Sequence, residues 1–322
     1  MNLAPNTVAD LSTLLMEAYA TQSAVASVDL RAFNAVVEHT AEDMTATVQA
    51  GVSLALLQAV LARRGQWLPI DPPNPEQATL GEILAENLSG PRRFGCGTIR
   101  ETLIGIQVVL ADGRVIRGGG KVVKNVAGYD LCKLFVGSRG TLGVITEATF
   151  KLSPLPETEA FVQCAVNTPD ELAARAQAVI EAGLSPVVLD AHNLDLSAPA
   201  DAGLRAGKQL TLVLGFAGAR EDVVAQLARA AELGIREPSS LDHERRFWPL
   251  NAAPAKRWSL LPSKLASGVA ALAGVPFVAR AGNGLLCFRD GPEIPRPTLP
   301  LDLARRLKNE FDPHHILPEL TS

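Results

Sequence analysis

"GSRGTLGVITEATFKLSP", residues 137–154, carries two patterns in one line. Its second half alternates as a strand, with Val144, Ala148, Phe150 and Leu152 apolar and Glu147, Thr149 and Lys151 set between them. Its first half holds glycines at 137, 140 and 143. A strand lead-in does not need three, so something comes close to the backbone there. A ligand against the main chain is one reading, and plain tight turns are the other.

Two more turn-rich stretches lie upstream, "PPNPEQATLGE" (72–82) and "SGPRRFGCGTIR" (89–100). Consecutive backbone N–H groups in such turns form concave anion sites. Thr79 reads as the cap of a short helix, "LGEILAEN", whose start at Thr79-Leu80-Gly81 is a candidate to hold a diphosphate. Three such turns set between strands point to a backbone-lined site for a phosphate-bearing cofactor. Residue chemistry alone goes no further than that.

Around these turns the chain reads as alternating elements. Residues 7–22 form an amphipathic helix, "MTATVQA" (44–50) a strand, and Ser53 caps the helix "LALLQAVLARR". "LIGIQVVLADGRVIRGG" is a hairpin turning at Asp112-Gly113, and "AGYDLCKLFVG" a short helix. Prolines in "LSPLPE" (152–157) mark a boundary. Beyond it come strand (159–166), helix (169–182), strand (185–191), strand (209–216) and helix (221–233), the order of a split β-α-β-β-α-β unit. A helix-rich part (240–273), a hairpin "FVARAGNGLLCFR" and a last helix "LDLARRLKNEF" follow.

Composition removes several function classes. The 322 residues are 47% hydrophobic and 20% charged, which fits a globular chain of two domains. A net charge of −4 gives no basic face for nucleic acid. No apolar run reaches the ~20 residues of a spanning helix, and the start lacks the charged and apolar regions of a secretory signal. The four cysteines form no CxxC pair and read as reduced thiols of a cytoplasmic protein. The five histidines have no metal-ligand spacing, and neither a P-loop nor a nucleophile elbow is present, so no metal site and no catalytic residue is assigned.

With "SGPRRFGCGTIR", "KNVAGYDL" and "GTLGVIT" in sequence, residues 35–155 resemble the FAD-binding domain of the vanillyl-alcohol-oxidase (PCMH) type, and within it the FAD-binding E subunit of glycolate oxidase. The resemblance implies an α+β fold. A two-subdomain FAD-binding domain (1–155) would be followed by a ferredoxin-like α+β cap domain with the C-terminal helix (156–322). It implies non-covalent FAD. Gly140, Gly143 and Ile145 would lie at the adenosine end, and Pro72, Thr79, Leu80 and Gly81 at the diphosphate. Ser89, Gly90, Gly97, Thr98 and Arg100 would run toward the flavin, with Asn283 near the ring from the cap side. The implied activity is hydride transfer from a 2-hydroxy acid to flavin. The implied partners are a sister flavoprotein subunit and an iron–sulfur subunit, in the cytoplasm or held at the inner membrane through them.

Three places depart from that pattern. No glycine occurs between Met1 and Gly51, so the glycine-rich diphosphate loop is missing from "ATQSAVASVDLRAFNAVVEH" (20–39). Glu82 stands where a second glycine is usual, and "LPEL" (317–320) replaces the usual ending. These departures predict weak FAD binding and an open groove beside residues 22–30. They also support a rival, a non-catalytic structural subunit that has lost tight FAD binding. A self-sufficient dehydrogenase is a third reading, with no histidine constellation to support it.

Overall fold

A computed structural model describes residues 1–120, 131–199, 203–250, 253–294 and 301–319. The motif "KNVAGYDL", apart from Leu131, lies outside the described residues, as does the start of the helix expected over 127–137. The chain forms two compact units. The first comprises 1–89, 98–155 and 296–322, and the second comprises 90–97 and 156–295.

The first unit opens with β1 (Asn2–Leu3), α1 (Val8–Ala20), β2 (Ser27–Val28), β3 (Val36–Thr40), β4 (Thr45–Gln49), α2 (Leu54–Ala62), β5 (Gln66–Trp67) and α3 (Leu80–Glu86). After α4 (Arg93–Cys96), which belongs to the second unit, it continues with α5 (Ile99–Thr102), β6 (Leu103–Val109), β7 (Val115–Gly119), α6 (Leu131–Phe135), β8 (Val144–Lys151) and β9 (Ser153–Pro154). Local chemistry sets the helix starts. Thr7 and Asp10 form a capping box on α1, Ser53 accepts the N–H of Leu56 at the start of α2, and Thr79 with Glu82 forms a capping box on α3.

Five strands pair antiparallel in the order β3-β4-β8-β6-β7. The strand read from residues 144–152 is therefore central, with Ala148 opposite both Val48 and Ile106. Leu57 and Leu61 of α2 and Ile83 and Leu84 of α3 pack with Phe150 into the main core. A smaller core joins Leu11 and Leu15 of α1 to Val109, Val144 and Ile316. Full burial of such side chains stabilises by roughly 1.5–3 kcal/mol each before conformational entropy is set against it.

The second unit holds β10 (Thr158–Val166), α7 (Pro169–Glu181), β11 (Val188–Leu194), β12 (Ala206–Gly218), α8 (Arg220–Glu232), β13 (Glu237–Pro238), α9 (Asp242–Phe247), β14 (Lys256–Ser259), α10 (Leu265–Ala271), β15 (Phe277–Arg280) and β16 (Leu285–Phe288). Its sheet runs β13-β10-β12-β11-β15-β16-β14. The strand–helix alternation read over 159–233 is present, and this sheet is separate from that of the first unit. Side chains on one face, such as Ala191, Leu212 and Ala279, pack with Leu172 and Val179 of α7, Val223 of α8 and Val269 of α10. Val278 and Cys287 instead meet Phe247 of α9.

The structure divides the chain differently from the sequence at two places. Residues 90–97 belong to the second unit, where the Gly95 N–H donates to the Val187 carbonyl at 3.1 Å. The last helix, α11 (Leu301–Phe311), belongs to the first unit, where the Phe311 ring stands edge-on to Phe135 at 5.7 Å. An amphipathic helix fixes which of its faces is buried, but not which core receives it.

Candidate cofactor site

The three opening glycines have three different causes. Gly137 (φ +81°) donates its N–H to the Leu84 carbonyl at 2.9 Å, and Arg139 (φ +53°) donates to Ala85 at 2.9 Å. This turn thus satisfies carbonyls at the end of α3. At Gly143 a Cβ would stand 2.7 Å from Val108 Cγ1 and 3.1 Å from the Val109 carbonyl oxygen. What presses on the backbone at Gly143 is strand β6, so packing alone accounts for a glycine at this position, which also borders the cavity at Gly140. Gly140 (φ +73°) differs from both, because a Cβ there would meet no atom within 4 Å.

Gly140 opens onto a cavity of about 530 Å³ in the first unit. Arg139, Gly140 and Gly143–Ile145 form one wall. Thr79, Gly81, Glu82 and Ala85 of the α3 start form another. The rest comes from Gly51, Leu317 and Pro318, and from the segment between Val25 and Arg31. The groove thus runs beside residues 25–31, where the missing loop predicts an opening. Just before that segment Gln22 takes up positive φ (+51°). The Gln22 turn ends α1, with the Ser23 N–H on the Ala18 carbonyl at 2.9 Å.

The α3 start does not offer the donors read from its cap. The N–H of Thr79 goes to the Glu82 carboxylate (3.0 Å), Leu80 to the Val52 carbonyl (2.9 Å), Gly81 to the Ala50 carbonyl (2.7 Å) and Glu82 to Thr79 Oγ1 (3.3 Å). Gly81 is small because Ala50 lies 3.1 Å from where its Cβ would be. Glu82 Oε2 is turned back onto the helix start by its bond to Thr79.

The cavity therefore brings together Thr79, Gly81, Gly140, Gly143 and Ile145. Pro72 and Leu80 are buried and, like Ser89, Thr98 and Arg100, stand in the first unit outside this lining. Thr98 forms a capping box with Glu101 on α5, and Lys133 Nζ donates to the Arg100 carbonyl. Gly90, Gly97 and Asn283 belong to the second unit. There the Phe94 ring lies 2.2 Å from where a Gly282 Cβ would stand, so the segment carrying Gly90 and Gly97 packs on the turn carrying Asn283. Asn283 Oδ1 is buried without a hydrogen-bond partner.

The second unit also holds a buried polar cluster that sequence spacing does not reveal. Arg280 Nη1 lies 2.5 Å from Asp190 Oδ2 and 2.7 Å from Glu244 Oε1, with Nη2 on Glu244 Oε2 at 2.7 Å. His243 Nε2 is 3.1 Å from Asp190 Oδ2, and its ring stacks on His192 at 5.0 Å. Burial works against the Arg280 charge, but the Asp190 and Glu244 carboxylates hold its pKa well above the ordinary range. Burial raises the Glu244 carboxyl, and Arg280 more than offsets this, leaving it lowered. His192 is pushed down to about 3 by burial and by His243, and its Nδ1 accepts the Leu194 N–H, so it is the neutral Nε2–H tautomer. Asp190, His243 and Glu244 have their ligating atoms within 4.8 Å of one another, and the Arg280 guanidinium bonds to both of the carboxylates.

Comparison with known proteins fits this geometry. The family described as "FAD binding domain" matches residues 5–119. The chain is 43% identical over 158 residues to glycolate oxidase subunit GlcD of Bacillus subtilis (49% of this chain, 33% of that protein). It is 40% identical over 131 residues to glycolate oxidase subunit GlcE of Escherichia coli (40% and 37%). A probable mitochondrial D-lactate dehydrogenase of Danio rerio is 37% identical over 158 residues (48% and 31%). The chain thus matches about a third of the length of these relatives. A solved alkyldihydroxyacetonephosphate synthase shares the fold, with a TM-score of 0.72 at 16% identity over 98% of this chain and 76% of that one. Residues 5–119 are thus similar to the FAD binding domain family, and the chain as a whole shares its fold with a solved protein of known structure.

Proposed function

We propose that this chain is the FAD-binding subunit of a multi-subunit oxidase or dehydrogenase acting on a small 2-hydroxy acid of the glycolate and lactate type. The observation that carries this reading is the cavity at Gly140, which lies in the unit containing the FAD binding domain and is lined by the "GTLGVI" turn. FAD fits the residues present in the first unit. Gly140 leaves main chain open to a ligand. Gly140, Gly143 and Ile145 would hold the adenosine end.

When bound, FAD supplies the acceptor for the hydride of the substrate α-carbon. The chain's own part is to bind and orient. Gly140 removes a side chain from the approach, and the capping box at Thr79 keeps the Glu82 carboxylate engaged. A sister flavoprotein subunit and an iron–sulfur subunit complete the proposed assembly, in the cytoplasm or peripheral to the inner membrane. Among the described residues no helix is long and apolar enough to cross a membrane.

One observation favours the rival, a structural subunit with weak FAD binding. All four N–H groups at the α3 start are spent within the protein. The visible spectrum of the purified chain, followed by glycolate- and D-lactate-dependent dye reduction with and without co-expressed partner subunits, separates the two. Bound flavin that is bleached by either acid supports the first reading. A colourless chain that still raises its partners' activity supports the rival.

A further inference from the structure

A dianionic diphosphate in this cavity finds neither a glycine-rich loop nor a free donor at the α3 start, yet its charge must be met. Among the described residues, four charged ones line the cavity: Asp29, Arg31, Glu82 and Arg139. Glu82 Oε2 is bonded to the Thr79 N–H, so this carboxylate is already engaged. The two cations come from separate walls, Arg31 from the segment after β2 and Arg139 from the turn before β8.

Both are held only by exposed partners. Arg31 pairs with Asp29 at 2.5 Å, and Arg139 Nε lies 3.2 Å from Glu86 Oε2, with the arginine side chains 87% and 55% exposed. Arg31 grips both Asp29 oxygens (3.0 and 2.9 Å from Nε) and Arg139 makes the single contact with Glu86, and at the surface both pairs are weakened by solvent and salt. A guanidinium presents a planar fork that matches phosphate oxygens two at a time. Arg139 also sits next to Gly140, the one lining glycine of this turn whose Cβ direction is open.

We infer that Arg31 and Arg139 take the role of the absent loop and clamp the FAD diphosphate, each leaving its carboxylate partner for a phosphate oxygen. Binding by two exposed side chains, not by a rigid nest of main-chain N–H groups, makes FAD retention dependent on ionic strength. The inference rests on FAD as the cofactor of this unit.

The test is a fluorescence titration of FAD into the full chain stripped of flavin, at 50 and 500 mM salt (~13 and ~4 Å Debye length). Wild type should bind several-fold more weakly at the higher salt. Arg31→Gln and Arg139→Gln should each weaken binding about five- to tenfold at low salt, and the double variant should lose most of the salt dependence. Arg→Lys at either site should lose less, since it keeps the charge. The thermal midpoint of the flavin-free protein should not move, because both side chains are exposed. A folded double variant that binds FAD as wild type does, or wild-type affinity indifferent to salt, overturns the clamp and leaves the FAD reading standing. Wild type that binds no FAD at either salt overturns both.

Discussion

Lys308 Nζ lies 3.0 Å from the carbonyl oxygen of Thr141, across 167 positions of chain. Lys308 is buried, and the same ammonium also meets Asp312 Oδ2 (2.7 Å) and the carbonyls of Leu317 (3.1 Å) and Pro318 (3.0 Å). One charge thus ties the last helix and the "LP" segment to the turn that carries Gly140. Leu317 and Pro318 line the cavity, so this tie fixes two of its walls.

Lys308→Met should therefore act on stability and on the cavity together. It removes the partner of a buried carboxylate, a change that typically costs about 3–5 kcal/mol. The expected outcome is a lower urea midpoint and weaker FAD binding. Lys308→Arg keeps the charge but not the fit, and should lie between. Chemical unfolding with a parallel FAD titration checks both. An unchanged midpoint for Lys308→Met would remove the C-terminal segment from the cavity's architecture.

The glycines of the opening turn should separate by function. Gly143→Val places atoms where Val108 and Val109 already stand, and overpacking of that kind costs roughly 1–3 kcal/mol. Gly140→Asn has open space and a residue that tolerates left-handed backbone, so the fold should survive while the new side chain enters the cavity. The expected pattern is loss of stability at 143 and loss of FAD affinity at 140. Thermal melts of both variants without flavin, with titrations alongside, would expose the reverse pattern if it occurred.

Arg280 makes a third test. Arg280→Ala leaves Asp190 and Glu244 buried without their cation, and should destabilise by about 3–5 kcal/mol. With the guanidinium gone, Asp190, His243 and Glu244 can offer ligand atoms to a small cation. Added zinc should therefore raise the melting temperature of Arg280→Ala and leave that of wild type unchanged. Zinc that stabilises wild type equally would mean that Arg280 does not fill the place of a metal.

What was legible in the sequence was local. The caps at Ser53 and Thr79, the Asp112-Gly113 hairpin and the alternation in residues 144–152 are each decided within a few residues. The fate of the Leu80 and Gly81 N–H groups was not legible, because their acceptors, Val52 and Ala50, lie about thirty positions back. Strand β3 has only half-buried and exposed positions, and β14 is mostly exposed, so neither has a clear period to read. The Asp190–Arg280 cluster did leave a trace. Asp190 and His192 occupy alternate positions of a fully buried strand, and buried polar groups on one face need partners. Those partners sit on α9 and β15, too far along the chain for spacing to connect them.

The same strand supplies a pH prediction. His192 is buried, with a folded pKa near 3 against 6.5 for the free side chain, because burial disfavours the imidazolium and His243 adds to this. Between those values the unfolded chain holds a proton that the folded chain refuses. Stability must therefore fall as pH drops below about 6.5 and go on falling until about 3, the sense opposite to that of a histidine stabilised by a carboxylate. At pH 5 the loss from this one residue is about 2 kcal/mol. His192→Asn keeps an acceptor for the Leu194 N–H but cannot be protonated. It should lose a small, pH-independent increment and show a shallower fall between pH 6.5 and 4.5 than wild type. Urea unfolding at four pH values in that window gives both slopes. Parallel slopes would assign the acid sensitivity to another group.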